Sequence, residues 1–187
     1  MFSHQIVVGY HGCDATVAAR VVQGVEHLKV STNDYDWLGH GIYFWEDSPA
    51  RARKWAEEES RRPQGKIKAP AVVGAVINLG NCLNLVDSEA LELVATAYQE
   101  YVAACHRSGV NEAVNKGKHF HLRNLDCAVF QTLHTLRRDS GFLPYDTIRG
   151  FFVEGCELYP GAGIRGQDHV QLCVRSTAQI LGYFHPR

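Results

Sequence analysis

Residues 38–58 read LGHGIYFWEDSPARARKWAEE. Gly39 and Gly41 break a polar loop, and Tyr43, Phe44 and Trp45 follow without interruption. Segment 41–46 predicts a strand, in which successive side chains point to opposite faces. The three aromatics therefore cannot share one face, and at least one of them leaves the core. Asp47 and Ser48 make an acidic turn. Pro49 suits the first turn of a helix, where its missing N–H removes nothing, and Pro63 stops that helix after about residue 62. A strand, a tight turn and a helix, with aromatics on both strand faces, form the unit from which the rest is read.

Upstream, QIVVGYH (5–11) predicts a strand from its β-branched residues. Asp14 predicts the N-cap of a helix with Ala15, Ala18, Val21 and Val22 on one stripe, and Gly24 as its stop. STNDYDWLGH (31–40) is polar and turn-rich, hence a loop. Downstream, PQGKIKAP (63–70) reads as a basic loop and AVVGAVINLG (71–80) as an apolar strand, followed by a short CLNL. A long helix is expected from Ser88 to near Gly109, and GVNEAVNKGKH (109–119) is polar and expected at the surface. A further helix spans 124–138, with Leu125, Val129, Leu133 and Leu136 as its buried stripe. Segments 148–155, 169–175 and 178–184 predict strands. Helices lie between an early and a late set of strands. That order predicts a single α+β domain over residues 1–187 with a largely antiparallel sheet.

The chain of 187 residues is long enough for one domain with a proper core. Its net charge of −1 argues against a globally basic nucleic-acid binder and leaves only local patches. No stretch approaches the ~18 apolar residues of a membrane span. MFSHQIVVGYHG lacks the basic start of a signal peptide, so a cytoplasmic protein without a membrane partner is expected. The six cysteines form no CxxC and sit singly among apolar neighbours, as free thiols in a reducing compartment do. Ten histidines raise the question of metal, and His119 and His121 form an i, i+2 pair. No HExxH or finger spacing accompanies them, so no metal is expected.

Three segments carry the chemistry: GYHGCD (9–14), LGHGIYFWED (38–47) and HVQLCVRSTAQILGYF (169–184). Together they resemble the ADP-ribosyltransferase superfamily in its diphtheria-toxin and poly(ADP-ribose) polymerase-like branch. That branch carries a histidine–tyrosine–glutamate triad on three separate strands. Its first motif, a strand ending in His-Gly, is matched by Tyr10-His11-Gly12. Its second, Gly-x-Gly-Ile-Tyr-Phe, is matched from Gly39 to Phe44. Its third begins with the acid and is followed by Ala-Gln and an apolar residue, matched by Ala178-Gln179-Ile180. Counting back eight residues from Gln179 lands on Gln171, where the family has its glutamate. AVINLGNCLNL (75–85) resembles the apolar strand and Leu-Gly turn between the second and third motifs.

The resemblance implies an ADP-ribosyltransferase-like split, mostly antiparallel sheet with flanking helices. It implies transfer of ADP-ribose from NAD, a co-substrate, to an acceptor with release of nicotinamide and no need of metal. His11 would hydrogen-bond the adenosine ribose, Gly12 the nicotinamide amide, and Tyr43 and Phe44 would wall the nicotinamide pocket. Arg51 and Lys54 stand where the family has a small serine and a stacking tyrosine, so Trp55 is expected to supply the second aromatic face. Gln171 can hydrogen-bond the nicotinamide ribose 2′-hydroxyl, but an amide brings neither negative charge nor a general base. Polymer elongation needs that base, so mono-ADP-ribosylation is favoured. Glu154 and Asp146 are the candidates for activating the acceptor. Arg149 and Arg165 suit the NAD diphosphate, because a guanidinium grips oxyanions; structural ion pairs account for them equally well. Asp126 reads as a favourable first-turn charge.

By the same resemblance the chain is a bacterial or phage-related toxin or defence effector, with an antitoxin protein as a candidate partner. The acceptor, whether RNA, DNA or protein, stays open. GKIK (65–68) and NKGKH with Arg123 would suit a nucleic-acid path, and equally a solvated surface. Two other readings stay open as well. One is an NAD glycohydrolase with water as the acceptor. The other is a non-catalytic NAD or ADP-ribose-binding module, in which the lost acid marks lost chemistry.

Overall fold

The computed structural model describes residues 3–117 and 122–187. The β-branched N-terminal segment forms β1 (Ser3–Asp14). Asp14 ends it: one carboxylate oxygen accepts from the Thr16 N–H at 3.0 Å and caps α1 (Ala15–Val22). The other oxygen accepts from the N–H groups of Lys68 and Ala69. These bonds hold the Asp14 carboxyl well below the usual carboxylate range. β2 (Ile42–Glu46) turns at Asp47, whose φ of 49° lies in the left-handed region, into α2 (Pro49–Ser60). There follow β3 (Pro70–Gly80), β4 (Cys82–Asn84), α3 (Ser88–Ser108), α4 (Asn124–Asp139), β5 (Thr147–Phe152), β6 (His169–Val174) and β7 (Ile180–Phe184). The α+β class expected from the sequence is the class observed.

The strands form one seven-stranded sheet in the order β4-β5-β6-β2-β1-β3-β7, antiparallel throughout except for β4 with β5. Its central joint is short. β1 and β2 pair only at Gly9–Glu46 and Tyr10–Trp45, whereas β1 follows β3 from Ile6–Asn78 to Asp14–Pro70. Two leaves therefore meet at one narrow seam. On one face α1 packs over Val7, Phe44, Val73, Ile77 and Leu172. On the other, α3 and α4 cover Leu83, Ile148 and Cys173, while α2 covers β1 and β3.

Three expected boundaries shift. The strand predicted over 5–11 runs on to Asp14, because β3 offers Val72, Ala71 and Pro70 as partners for Gly12, Cys13 and Asp14. Segment 178–184 begins as a 3-10 turn, Thr177–Gln179. The N–H groups of Arg175 and Ser176 both donate to the Asp146 carbonyl, at 2.9 and 3.1 Å, which draws the chain off β6. The strand predicted over 148–155 stops at Phe152, so Glu154 stands in the loop beyond it. His119 and His121 lie outside the described residues. Among those described, no group of three or more histidine, cysteine or acidic side chains is placed to hold a metal ion, and no helix is long and apolar enough to cross a membrane. All six cysteines are unpaired; Cys13, Cys105, Cys127 and Cys173 are buried, and Cys156 is exposed.

Candidate functional site

The first two motif segments fall on the neighbouring strands β1 and β2; the third starts on β6, beside β2, and ends on β7 at the far edge of the sheet, against β3. Local glycine chemistry shapes the middle one. Gly39 has a φ of 76°, and Gly41 passes so close to β6 that a Cβ there would meet the Cys173 Sγ at 2.4 Å. The resulting loop presents the Leu38 N–H and the Gly39 carbonyl to the Tyr43 hydroxyl, at 3.0 and 2.7 Å. Tyr43 is held by its own loop, and burial pushes its pKa far above the ordinary tyrosine value. Its hydroxyl therefore stays protonated and positions rather than titrates.

Register decides which side chains meet. Tyr43 pairs with Cys173 and Trp45 with Gln171, while Gly150 and Phe152 pair with Gln171 and His169. Directly opposed residues share a face, so Tyr43, Trp45, Gln171, His169 and Phe152 look the same way. His11 and Phe44 look the other way, with rings edge-on at 5.9 Å. Phe44 is fully buried under α1. Strand alternation thus places Phe44 in the core on the face opposite Tyr43 and Trp45. His11 reaches across the seam, where its Nδ1–H donates to the Tyr43 backbone carbonyl at 2.8 Å. Burial outweighs that bond and lowers its pKa, leaving a neutral ring with Nε2 as an acceptor. At Gly12 a Cβ would lie 2.4 Å from the Ala52 carbonyl oxygen, so the missing side chain lets α2 lie against β1.

On the Gln171 face a row of rings runs from α2 across the sheet. Trp55 to Trp45 is 5.8 Å, Trp45 to His169 6.1 Å, His169 to Phe152 5.3 Å, and Phe152 to Trp37 4.7 Å between centroids. Two guanidinium groups lie over the row, Arg51 at 5.4 Å from the Trp45 centroid and Arg123 at 4.8 Å from that of Phe152. The Trp37 Nε1–H donates to the Gln171 Oε1. The acceptor end of that amide is thereby engaged. Behind Trp37 and Arg123 a groove of ≈ 440 Å³ opens between α3 and α4, walled by Leu91, Val94, Tyr98, Leu125 and Val129.

Arg51 anchors the α2 end of the row. Its side chain is only 9% exposed, and its Nη2 meets the Glu154 carboxylate at 2.6 Å. The His169 Nδ1–H donates to the Gln167 carbonyl at 2.7 Å and lies 3.8 Å from the same Glu154 oxygen. Burial, with Arg51 nearby, lowers the His169 pKa. Among the described residues, Arg51 Nε and Nη1, Trp45 Nε1 and His169 Nε2 are buried without a hydrogen-bond partner. Leaving one such group unpaired costs about 1–3 kcal/mol. Four together mark a place where stability has been given up.

The remaining candidates are committed elsewhere. Arg149 lies on the α1 face, bound to both Glu46 carboxylate oxygens at 2.7 and 2.9 Å. Arg165 donates to the Gly155 carbonyl at 3.3 Å. Asp146 takes the Asn81 N–H at 2.8 Å at the far end of β5. Asp126, in the first turn of α4, accepts from Arg123 at 3.1 Å. Lys66 and Lys68 are exposed in the loop after α2. Sequence reasoning passed over Trp37, Phe152 and His169 as site residues. A tryptophan in an otherwise polar loop was the available signal for Trp37, and Arg51 was visible as the residue that broke the family pattern.

No family model and no solved structure matches the chain. Over 77 residues it is 32% identical to an uncharacterized protein of Methanocaldococcus jannaschii, a match covering 41% of this chain and 35% of that protein. The chain thus spans about a third of this relative's length, and the relative brings no activity with it.

Proposed function

We propose that the protein binds NAD on the ring-lined face beside the β1–β2 seam and transfers single ADP-ribose units to a macromolecular acceptor. The observation that carries this reading is that the strands bearing His11, Tyr43 and Gln171, distant in the chain, lie side by side as β1, β2 and β6. The rings suit a flat nicotinamide, which stacks on aromatic faces, and the Gln171 N–H₂ suits a ribose oxygen. In the transfer, the bond from the nicotinamide nitrogen to ribose C1′ breaks and its electron pair leaves with nicotinamide. The acceptor's lone pair forms the new bond to C1′, and the acceptor's proton passes to a base. Gln171 cannot take that proton. Glu154, the carboxylate touching Arg51 beside His169, is assigned the task. Ring enclosure keeps water from C1′, while His11 and Tyr43 set the path of β2 through backbone bonds. RNA, DNA and protein are all acceptors that fit this scheme, and a toxin or defence role with an antitoxin partner follows from the family resemblance.

A second reading has its own observation. An amide stands at position 171, and Glu154 is held by Arg51. Such a site suits a module that binds NAD or ADP-ribose without cleaving it. Incubation with NAD labelled in its adenylate half, alongside separate pools of protein, RNA and DNA, tests both. Label is expected in one pool and is expected to vanish in Gln171→Ala and Glu154→Gln. Free labelled ADP-ribose alone would make the protein an NAD glycohydrolase, and intact bound NAD a binding module. NAD neither bound nor consumed would overturn the NAD reading.

A further inference from the structure

We infer that Arg51, Trp45 and His169 form a pocket for the phosphates of a nucleoside diphosphate, with His169 receiving a neighbouring sugar hydroxyl. As a statement about NAD this rests on the reading above. As a statement about phosphate it stands on the pocket's own atoms.

Four side chains close a ring of contacts. Arg51 stacks over Trp45 at 5.4 Å, Trp45 meets His169 at 6.1 Å, His169 approaches Glu154 at 3.8 Å, and Glu154 returns to Arg51 at 2.6 Å. On these side chains, Arg51 Nε and Nη1 and Trp45 Nε1 carry buried N–H groups that meet no acceptor among the described residues. These are donors only, so whatever satisfies them must accept. The local carboxylates are bonded to other donors. Glu154 is on Arg51 Nη2, and Asp168 accepts from the N–H groups of Glu154 and Arg165 at 3.0 and 2.9 Å. An oxyanion with several acceptor oxygens meets the demand, and a guanidinium with two open nitrogens is the group that favours phosphate over a neutral acceptor.

The fourth unpaired atom narrows the class. His169 gives its Nδ1–H to the Gln167 carbonyl, so Nε2 of the neutral ring carries a lone pair and needs a donor. Phosphate oxygens cannot supply one, but a sugar hydroxyl can. Donors for phosphate beside an acceptor for a hydroxyl, with stacking rings adjoining, describe a nucleotide rather than free phosphate. The α2 helix brings Arg51 here because the left-handed turn at Asp47 and the bare Gly12 let it lie against β1.

Calorimetric titration of the full chain with ADP, pyrophosphate and adenosine separates these parts. ADP is expected to bind most tightly, and pyrophosphate more tightly than adenosine. Arg51→Gln, which keeps an amide able to meet Glu154, is expected to weaken ADP and pyrophosphate by roughly tenfold or more and to leave adenosine unchanged. Trp45→Phe keeps the ring and loses the N–H, and is expected to weaken ADP about threefold. Melting curves establish that each variant is folded, and if Arg51→Gln does not fold, the Trp45→Phe titration decides. Unchanged ADP affinity in a folded variant, or pyrophosphate binding no tighter than adenosine, would overturn the pocket. Arg51-dependent ADP binding without any NAD binding or turnover would keep the pocket and remove the transferase reading. NAD turnover indifferent to Arg51→Gln would do the reverse.

Discussion

Arg149 and Arg51 are both largely withdrawn from water, and they stand on opposite faces of one sheet. Arg149 is gripped by both oxygens of a Glu46 that is itself 11% exposed, in a face otherwise packed with aliphatic side chains. Arg51 shares one nitrogen with a half-exposed Glu154 and leaves two others unpaired among aromatic rings. A buried charge that serves the fold has its hydrogen-bonding capacity filled, because an unfilled one costs stability. A buried charge with unfilled positions is stable only through the packing around it. The sequence offered Arg149 and Arg165 alike for a diphosphate, and the contrast in partners is why the proposed pocket is built on Arg51 instead.

The largest effect is expected from breaking the filled pair. Arg149→Met strands the Glu46 carboxylate and should cost about 3 kcal/mol, while Arg51→Gln should cost less than about 1 kcal/mol, since it removes unpaired donors together with one partly solvated ion pair. Denaturant titration of both variants measures the difference, and equal losses would erase the distinction. Gly12→Ala comes next. Its Cβ would press on the Ala52 carbonyl at 2.4 Å, and overpacking against backbone should cost about 2 kcal/mol. Because α2 carries Arg51 and Trp55, ADP affinity should fall with it; a destabilised variant with unchanged affinity would separate the helix from the pocket.

His134 offers a control with unpaired nitrogens but no row of rings. Both of its ring nitrogens are buried without partners, and burial beside Arg175, Arg137 and His40 lowers its pKa to about 3. The folded value lies below the unfolded value of 6.5, so its contribution is whole above that pH and is lost as pH falls from 6.5 toward 3. At pH 5 the loss should be about 2 kcal/mol, with His11 and His169 acting in the same direction. Stability measured from pH 7 to pH 5 should fall, and His134→Leu should flatten part of that slope. An unflattened slope would assign the acid sensitivity to other groups. Tyr43→Phe is the mildest change. It should cost about 1 kcal/mol through the lost loop bonds and leave NAD affinity nearly intact by calorimetry; loss of NAD binding in the folded variant would bring Tyr43 to the ligand.

Much of the frame was legible before any coordinates. Asp14 caps α1 because a short carboxylate before a helical stripe can reach the first free N–H groups. Pro49 opens α2, and the alternating aromatics of β2 do divide between two faces. The three motif segments were also recognisable as a set. Less legible was the use to which each residue is put. Gly12 was read as a backbone contact for the nicotinamide amide, and the room it makes for α2 was not read from the sequence. Glu154 was read into a strand and stands in a loop, free to approach Arg51 and His169.

The division has a physical cause. Caps, strand alternation and helix stripes arise from interactions within a few residues, so composition and spacing settle them. The face on which Trp45, Gln171 and His169 meet arises from cross-strand register between segments more than a hundred residues apart, where a slip of one position would send every side chain to the opposite side. Which arginine is filled and which is left open depends on the acids that the packed sheet carries to it. Glu46 reaches Arg149, Glu154 reaches Arg51, and no local pattern in the chain announces either pairing.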